Sequence, residues 1–215
     1  MKYKYVVWDF NGTILDDVQA GIDCVNPILE KRGLKTLDSV DEYREKFDFP
    51  IINYYRNLGF DFERDPYEVI AHEWIANYKR LSPKLGLVDG VGKLFDLFEK
   101  LGAKQMILSA SEKGMLENKL NALGISEKFT CLLALDNIYA HSKLDIAKEY
   151  FKDKNTSDYV MIGDTVHDAE VAREVGIDAW LVAGGHHGRK NLEETGFPVF
   201  GSMHELTEYI LNFSR

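Results

Sequence analysis

Short apolar segments with the composition of β-strands alternate with helical segments over most of this chain. Residues 104–108, 131–135, 159–162 and 179–182 are apolar runs of strand length, and the apolar residues between them recur at helical spacing. Tyr5–Trp8 is one more run of this kind. Strands that alternate with helices are typical of a parallel sheet covered on both faces. The sequence therefore predicts a doubly wound α/β fold with a mainly parallel sheet.

One long segment departs from this alternation. From Asp16 to about Leu81 the apolar residues follow helical spacing, with Asp16 or Asp17 as the expected N-cap of the first helix, and no convincing strand occurs. The helices expected here cover residues 18–29, 39–47, 51–58 and 66–80. Because the first strand belongs with the later ones, this block interrupts one α/β domain. The predicted organisation is a core of residues 1–16 and 84–215 with an inserted α-helical cap of residues 17–83.

Composition and charge exclude several classes of protein. The chain of 215 residues has 26 Lys and Arg against 35 Asp and Glu, a formal net charge of -9, and no basic cluster that a nucleic-acid partner would need. No apolar stretch approaches membrane-spanning length, and the run at Tyr5–Trp8 is too short for a signal peptide. Cys24 and Cys131 lie in apolar surroundings and are expected to be buried free thiols, which suit a reducing compartment. We therefore expect a cytoplasmic protein with no membrane partner.

Polar residues stand where several of the predicted strands end. Asp9 ends the first strand, Ser109 the second and Asp164 the fourth. Lys143 precedes the helix after the third strand, and Asp168 lies one turn into the helix that follows Asp164. Open parallel sheets bind their ligands beyond the carboxyl ends of the strands. We therefore expect these five side chains to converge at one edge of the sheet.

Three carboxylates in one buried place would repel each other unless a cation neutralises them. Mg²⁺ suits such a site because it takes a few carboxylates and completes its shell with water and substrate phosphate. Lys143 and the Ser109 hydroxyl could then hold phosphoryl oxygens. Asp9 or Asp164 taken alone could equally be a helix cap or a turn residue. The joint pattern at matching strand ends favours a magnesium-dependent phosphoryl site.

Four segments resemble the motifs of one known superfamily. Residues 9–16 (DFNGTILD) resemble the first motif of the haloacid dehalogenase-like hydrolases, and residues 108–111 (LSAS) resemble the second. Lys143 stands where the lysine of that family is expected, and residues 163–168 (GDTVHD) are similar to the fourth motif. The inserted helical block is similar to the small cap of the phosphoglycolate-phosphatase-like and β-phosphoglucomutase-like subgroups.

The resemblance implies a magnesium-dependent phosphatase that hydrolyses a small phosphate monoester through an aspartyl-phosphate. Asp9 would be the nucleophile, and the partner would be a small phosphorylated metabolite. The implied catalytic residues are Asp9, Asn11, Ser109 and Lys143. The implied phosphate-binding residues are Gly12, Ser109, Ala110 and Lys143. The implied Mg²⁺ ligands are Asp9, the backbone of Asn11, Asp164 and Asp168.

Asn11 departs from the family pattern, which has an aspartate that protonates the leaving group and later activates water. An amide does neither. The substrate could have a good leaving group, such as an acyl or aryl phosphate, or the chain could be a phosphate-ligand binder with little turnover. Asp16 or Asp17 could substitute, the change could have been made to trap a complex, or the Asn11-Gly12 pair could deamidate to aspartate. A phosphomutase would need the missing acid in both half-reactions. A halide-releasing enzyme would not need Asp164 and Asp168.

Three further segments carry weaker signals. Residues 184–188 (GGHHG) follow the last core strand, and their two histidines are expected to lie in a solvated loop rather than at a zinc site. His141 is expected to be a loop residue. Residues 47–50 (FDFP) could shape a substrate pocket from the cap, although a connection between helices with buried phenylalanines explains them equally well. Cap closure would exclude water from the phosphoryl site.

Overall fold

A six-stranded parallel sheet forms the centre of the molecule, as the computed structural model shows for residues 2–139 and 142–213. The strand order is β3-β2-β1-β4-β5-β6, and every neighbouring pair is parallel. The strands are β1 (Tyr5–Trp8), β2 (Lys104–Glu112), β3 (Cys131–Leu135), β4 (Tyr159–Gly163), β5 (Asp178–Val182) and β6 (Val199–Phe200). The order runs in opposite directions on the two sides of β1, so the predicted doubly wound α/β fold is confirmed.

Helices connect the strands and account for most of the remaining chain. Three short 3-10 turns, at residues 82–84, 126–128 and 156–158, occur between them. The α-helices in the described residues are α1 (Val18–Glu30), α2 (Val40–Lys46), α3 (Ile51–Asn57), α4 (Tyr67–Leu81), α5 (Val91–Lys100), α6 (Lys113–Leu123), α7 (Leu144–Phe151), α8 (Val166–Val175), α9 (Arg189–Glu193) and α10 (Met203–Phe213).

The central strands are apolar on both faces because helices cover both. Val6 and Trp8 of β1 pack in one buried apolar cluster, while Val7 packs with Met106 and Leu108 in another. Successive side chains of a strand point to opposite faces, so the two clusters lie on opposite sides of the sheet. A continuous apolar run is what a doubly covered parallel strand requires. Gln105 of β2 is a buried polar exception, and its side-chain oxygen accepts a hydrogen bond from Nε1 of Trp8 at 3.0 Å.

The segment between β1 and α5 is helical, as predicted, and contains α1 to α4. Its buried side chains form a third apolar cluster, which is distinct from the two clusters of the sheet. Ser39 caps α2 by accepting a hydrogen bond from the backbone N–H of Glu42 at 3.1 Å. Trp74 of α4 packs against both this cluster and the sheet. The boundaries at residues 16/17 and 83/84 remain a prediction.

Several local expectations need correction. Strand β2 continues three residues beyond Ser109, with a shift in its pairing to β3 between Leu108 and Glu112. Helix α9 and strand β6 were not predicted from the sequence because both are too short to show a periodic pattern. Both cysteines are free, but only Cys24 is buried. Cys131 is half-buried because it begins β3, which lies at the edge of the sheet.

Asp17 occupies the N-cap position of α1, yet its side chain does not cap the helix. It turns instead towards the residues that follow β1, as described below. His141, expected to be a loop residue, lies outside the described residues. Within residues 2–139 and 142–213, no helix is both long and apolar enough to cross a lipid bilayer.

Candidate active site

The five side chains predicted to converge are brought together at the carboxyl edge of the sheet. Asp9 follows β1, Asp164 follows β4, and Asp168 lies in the first turn of α8. Lys143 occupies the N-cap position of α7, and Ser109 lies in β2. All five are buried. The site is therefore assembled from three strands and two helix starts, far apart in sequence.

Lys143 is the charged centre of this group. Its Nζ donates hydrogen bonds to Oδ1 of Asp9 and to Oδ1 of Asp168, both at 2.5 Å, and to the backbone oxygen of Leu108 at 3.1 Å. Burial alone would disfavour the ammonium ion, but the carboxylates of Asp168 and Asp9 outweigh it and raise the pKa of Lys143. Lys143 therefore stays charged and links the two acids.

The three aspartates crowd more negative charge than one lysine neutralises. One oxygen each of Asp9, Asp164 and Asp168 lies within 4.8 Å of the others. Burial raises the pKa of Asp9 to about 8 and that of Asp164 to about 6, with the neighbouring carboxylates adding to both shifts. Burial acts in the same sense on Asp168, but Lys143 outweighs it and lowers the pKa of that carboxyl. This geometry could hold a divalent cation.

Backbone and hydroxyl donors fix the two acids that follow β4. Oδ1 of Asp164 accepts a hydrogen bond from the Thr13 hydroxyl at 2.6 Å, and Oδ2 accepts one from the backbone N–H of His186 at 2.7 Å. Oδ2 of Asp168 accepts from the backbone N–H and the hydroxyl of Thr165, at 2.9 and 2.7 Å. Thr165 and Asp168 form a capping box at the start of α8. The carboxylates are therefore held before any ligand binds.

Two features of the turn after β1 require glycine at position 12. Its φ of +74° lies in the left-handed region, where a side chain is strained. A Cβ at this position would also collide with the carboxylate of Asp164. Its backbone N–H donates to Oδ1 of Asp17 at 2.8 Å. The turn can therefore lie against the acidic cluster only with glycine at this position.

Asn11 is held on both sides of its amide. Its Nδ2 donates to Oδ2 of Asp17 at 2.5 Å, and its Oδ1 accepts from the Ser111 hydroxyl at 2.6 Å. The amide orientation is therefore fixed, and Asp17 serves as a hydrogen-bond acceptor. The predictions that Asp16 or Asp17 supplies acid-base chemistry, or that Asn11 deamidates, remain untested.

Ser109 and Ala110 lie on the β2 side of the site. The Ser109 hydroxyl accepts a hydrogen bond from the backbone N–H of Ser111 at 3.0 Å. Both residues line the same cavity as Asp9 and Asn11. Their predicted roles in phosphate binding stay predictions, but their position next to Asp9 agrees with those roles.

The prediction of a solvated loop for the two adjacent histidines is wrong, since His186 and His187 are both buried. Nδ1 of His186 is 2.8 Å from the Tyr43 hydroxyl, and its Nε2 is 3.5 Å from Oδ1 of Asp17. Burial disfavours the charged ring, yet Asp17 outweighs it and raises the pKa of His186 to about 9. Nδ1 of His187 accepts from the backbone N–H of Val166 at 2.9 Å. The histidines follow β5 at the carboxyl edge of the sheet, and this position was the signal that they belong to the site.

Residues of the helical segment close over the sheet edge at several points. Arg44 of α2 donates to the backbone oxygens of Gly184 and Gly185, at 2.5 and 2.9 Å. Phe47 stacks on His186 with ring centroids 4.7 Å apart, and Phe49 stacks on His167 at 4.6 Å. Residues 47–50, for which two interpretations were open, therefore contact the histidines of the core directly.

A cavity of about 190 Å³ separates the helical segment from the sheet edge. We call it the cap–core cavity. One end is formed by Asp9, Asn11, Ser109 and Lys143, and the other by aromatic and aliphatic side chains of α2 to α4 and the loops between them. A ligand that reaches Asp9 therefore places the rest of its structure among apolar groups.

Comparison with known proteins identifies the family. A model of the haloacid dehalogenase-like hydrolases matches residues 6–182, which hold every site residue described above except His186 and His187. The chain belongs to this family of hydrolases. No match was found among the curated proteins.

Solved structures with the same fold are similar over almost their whole length. A haloacid dehalogenase-like family hydrolase from Streptococcus pneumoniae has a TM-score of 0.82 and 16% identity, covering 97% of this chain and 99% of the other. A predicted phosphoglycolate phosphatase from Haemophilus somnus has a TM-score of 0.78 and 13% identity, covering 98% and 99%. CbbY from Rhodobacter sphaeroides, in complex with phosphate, has a TM-score of 0.72 and 17% identity, covering 95% and 96%. At these sequence identities the likeness shows that the proteins share a fold.

Proposed function

We propose that this hydrolase is a magnesium-dependent phosphatase, which cleaves a small phosphate monoester through an aspartyl-phosphate on Asp9. The observation that carries the proposal is the buried group of Asp9, Asp164 and Asp168 around Lys143, which opens into the cap–core cavity. The Streptococcus and Haemophilus proteins are named a hydrolase and a phosphoglycolate phosphatase, and the Rhodobacter protein is in complex with phosphate. These names agree with phosphoryl chemistry at this edge of the sheet.

The residues present fit a magnesium ion. The carboxylates of Asp9, Asp164 and Asp168, with the backbone oxygen of Asn11, would hold it, and oxygen donors of this kind are what Mg²⁺ prefers. Burial and mutual repulsion raise the pKa values of Asp9 and Asp164, so a cation would relieve an unfavourable charge distribution. When bound, the ion would neutralise charge on the phosphoryl oxygens.

The bonds formed and broken in the proposed reaction involve one carboxylate and one phosphorus atom. An oxygen of Asp9 attacks phosphorus in line, the ester P–O bond breaks, and the leaving oxygen keeps the electron pair. Lys143 and the Ser109 hydroxyl hold the phosphoryl oxygens, a role that is mostly positioning and electrostatics. Water then attacks the same phosphorus, which releases inorganic phosphate and restores the Asp9 carboxylate.

Asn11 limits which substrates this site can process. Its amide can donate a hydrogen bond to the leaving oxygen but cannot transfer a proton. General acid-base catalysis typically contributes about a hundred- to ten-thousand-fold to a rate. The site is therefore suited to substrates whose leaving group departs without a proton.

The test is release of inorganic phosphate from phenyl phosphate, with and without MgCl₂, by the wild-type protein and by Asp9→Asn. The mass of each sample is measured first, so that any deamidation of Asn11 is known. We expect release that requires Mg²⁺ and is lost in Asp9→Asn. Release that persists in Asp9→Asn would come from another site and would contradict the proposal.

A second candidate function is binding of a phosphorylated ligand without turnover, and Asn11 is the observation that favours it. If the wild-type protein binds phenyl phosphate but releases no phosphate, while Asn11→Asp does, the binder is correct. A phosphomutase is less well supported than either, because both of its half-reactions need the proton transfer that Asn11 lacks.

A further inference from the structure

We propose that the substrate is the phosphate monoester of a phenol, with one aromatic ring seated in the cap–core cavity. This inference rests on the proposed phosphatase function and specifies its substrate class. Three observations carry it: the lining of the cavity, its size, and the amide of Asn11 beside Asp9.

Much of the cavity wall is aromatic and aliphatic. It is built by Phe47, Phe49, Ile51, Tyr54, Trp74 and Tyr78. Trp74 and Tyr78 stack on each other with centroids 4.9 Å apart, so they present a fixed aromatic surface. Aromatic rings pack favourably on such surfaces in stacked or edge-to-face geometry.

The charges that line the cavity argue against a second anionic group on the substrate. Among the described lining residues there are two lysines and no arginine. Lys143 is bound to Asp9 and Asp168, and Lys119 donates to the backbone oxygens of Ser82 and Leu85. Glu112, also in the lining, is an additional negative charge. His186, also in the lining, is paired with Asp17. A carboxylate or second phosphate on the substrate would therefore meet no cationic group that lacks a partner of its own.

The size of the cavity matches one ring and one phosphoryl group. A cavity of roughly 150 Å³ with apolar walls is enough to bind benzene. The cap–core cavity measures about 190 Å³, and part of it lies against Asp9 and Lys143. The remainder has room for one aromatic ring.

Asn11 selects for the same class on chemical grounds. A phenol has a pKa of about 10, as the tyrosine side chain does, whereas water has a pKa of about 16 and alkanols resemble it. Phenolate therefore leaves phosphorus without prior protonation far more easily than an alkoxide. The amide is fixed in its orientation by Asp17 and Ser111.

Tyr54 adds a point of specificity. Its side chain is 3% exposed, it lines the cavity, and its hydroxyl is a buried polar atom with no hydrogen-bond partner among the described residues. Buried polar groups are nearly always hydrogen-bonded, so an unpartnered hydroxyl in a cavity wall indicates a polar atom on the ligand. We infer that the phenol ring carries one hydrogen-bonding substituent that reaches Tyr54.

The experiment compares four substrates by kcat/KM at fixed MgCl₂: phenyl phosphate, benzyl phosphate, phosphoglycolate and glucose 6-phosphate. Phenyl phosphate is expected to exceed phosphoglycolate and glucose 6-phosphate by at least about tenfold, because burial of one ring is worth roughly ten- to a hundredfold in affinity. Benzyl phosphate, with an equally apolar ring but an alkoxide leaving group, is expected to have a lower kcat/KM than phenyl phosphate.

The outcomes separate this inference from the proposed function. If phosphoglycolate or glucose 6-phosphate is the better substrate, the phenol inference is wrong and the phosphatase proposal stands. If no substrate turns over, the phosphatase proposal fails. Titration calorimetry of the Asp9→Asn protein then decides the inference: tighter binding of phenyl phosphate than of phosphoglycolate supports it, and the reverse order overturns it.

The role of Tyr54 is tested with the three hydroxyphenyl phosphates and the Tyr54→Phe variant. At least one isomer is expected to exceed phenyl phosphate about tenfold in kcat/KM, the usual gain from one hydrogen bond, and Tyr54→Phe is expected to remove that gain. Tyr5→Phe is the control, because Tyr5 begins β1 at the end of the strand away from Asp9. This variant should leave all values unchanged. Equal values for all isomers, or a gain retained in Tyr54→Phe, would overturn the assignment of Tyr54.

Discussion

Nδ2 of Asn11 donates a hydrogen bond to Oδ2 of Asp17 at 2.5 Å, so the residue two positions after the proposed nucleophile is tied to a buried carboxylate. Asn11→Asp would set two carboxyl groups against each other at this distance. Like charges so close cannot both ionise easily, so the pair would retain one proton near neutral pH. The change therefore adds a proton donor at the position where the family has one.

For Asn11→Asp we expect kcat/KM, which reports the step in which the leaving group departs, to rise by about a hundredfold or more with benzyl phosphate and by less than about tenfold with phenyl phosphate. The reason is that an alkoxide needs a proton to leave and a phenolate does not. Steady-state phosphate release with both substrates measures this difference. Asn155→Asp, at an exposed turn, is the matched control. An equal rise for both substrates would mean that Asn11 does not act on the leaving group.

Lys143 provides a second prediction, because its Nζ bridges Asp9 and Asp168. Lys143→Met removes the only ammonium group in contact with both acids among the described residues. We expect phosphate release to fall by about 10²–10³, the usual cost of one lost group that stabilises developing charge. The variant should also gain more in Tm on addition of MgCl₂ than the wild type does. Lys128→Met, a half-buried lysine paired with Asp96 and Glu99 away from the site, should change neither quantity. A Lys143→Met protein with wild-type turnover would remove Lys143 from the mechanism.

The fold could be predicted from the sequence because burial on both faces makes the central strands uniformly apolar. Residues 131–135 are a strand with the predicted bounds, and the cap helices lie within one or two residues of the predicted ones. Ser111 and Glu112 are not apolar, so the sequence predicted that β2 ends before them. Strand β2 runs further because these residues take their strand geometry from the neighbouring β3. Such pairing is a long-range property that no local pattern reveals.

The candidate site also contains residues that could be predicted from the sequence and residues that could not. Asp9, Asp164 and Lys143 could be placed together because each stands at the end of a strand or the start of a helix on one edge of the sheet. His186 could not, since its burial depends on Tyr43 and Asp17, which are distant in sequence and supply partners for both ring nitrogens. The position after β5 indicates only that the two histidines lie at the carboxyl edge of the sheet, where a pair of histidines between glycines could be buried or solvated.

Removal of Mg²⁺ should be visible in stability as well as in turnover. Three carboxylates within 4.8 Å share one lysine, so we expect MgCl₂ to raise Tm relative to EDTA. A ligand at a hundred times its Kd stabilises by about 2.7 kcal/mol, which corresponds to roughly 5–10 °C for a chain of this size. Differential scanning fluorimetry measures the shift. Asp164→Asn should lose it and Asp96→Asn, on the exposed side of α5, should keep it. A shift retained in Asp164→Asn would place the ion elsewhere.

Glu73 of α4 carries a pH-dependent part of the stability of the helical segment. It accepts hydrogen bonds from Lys31 at 2.5 Å and from Arg32 at 2.7 Å, and the Arg32 side chain is 9% exposed. Burial would raise the pKa of Glu73, but these two cations outweigh it and lower the pKa. A carboxyl whose folded pKa lies below its unfolded value of about 4.3 stabilises the protein above that value. The contribution is lost as the pH falls through the folded pKa.

Glu73→Gln should therefore lower the free energy of unfolding by about 1–2 kcal/mol at pH 7, the range for hydrogen bonds to charged groups. The difference from the wild type should stay constant down to about pH 5 and shrink as the pH falls below the unfolded value of about 4.3. Urea unfolding at pH 7, 5 and 3.5 measures it. Glu68→Gln, an exposed residue of the same helix, is the control and should match the wild type throughout. A Glu73→Gln deficit that persists unchanged at pH 3.5 would show that shape, and not charge, makes Glu73 stabilising.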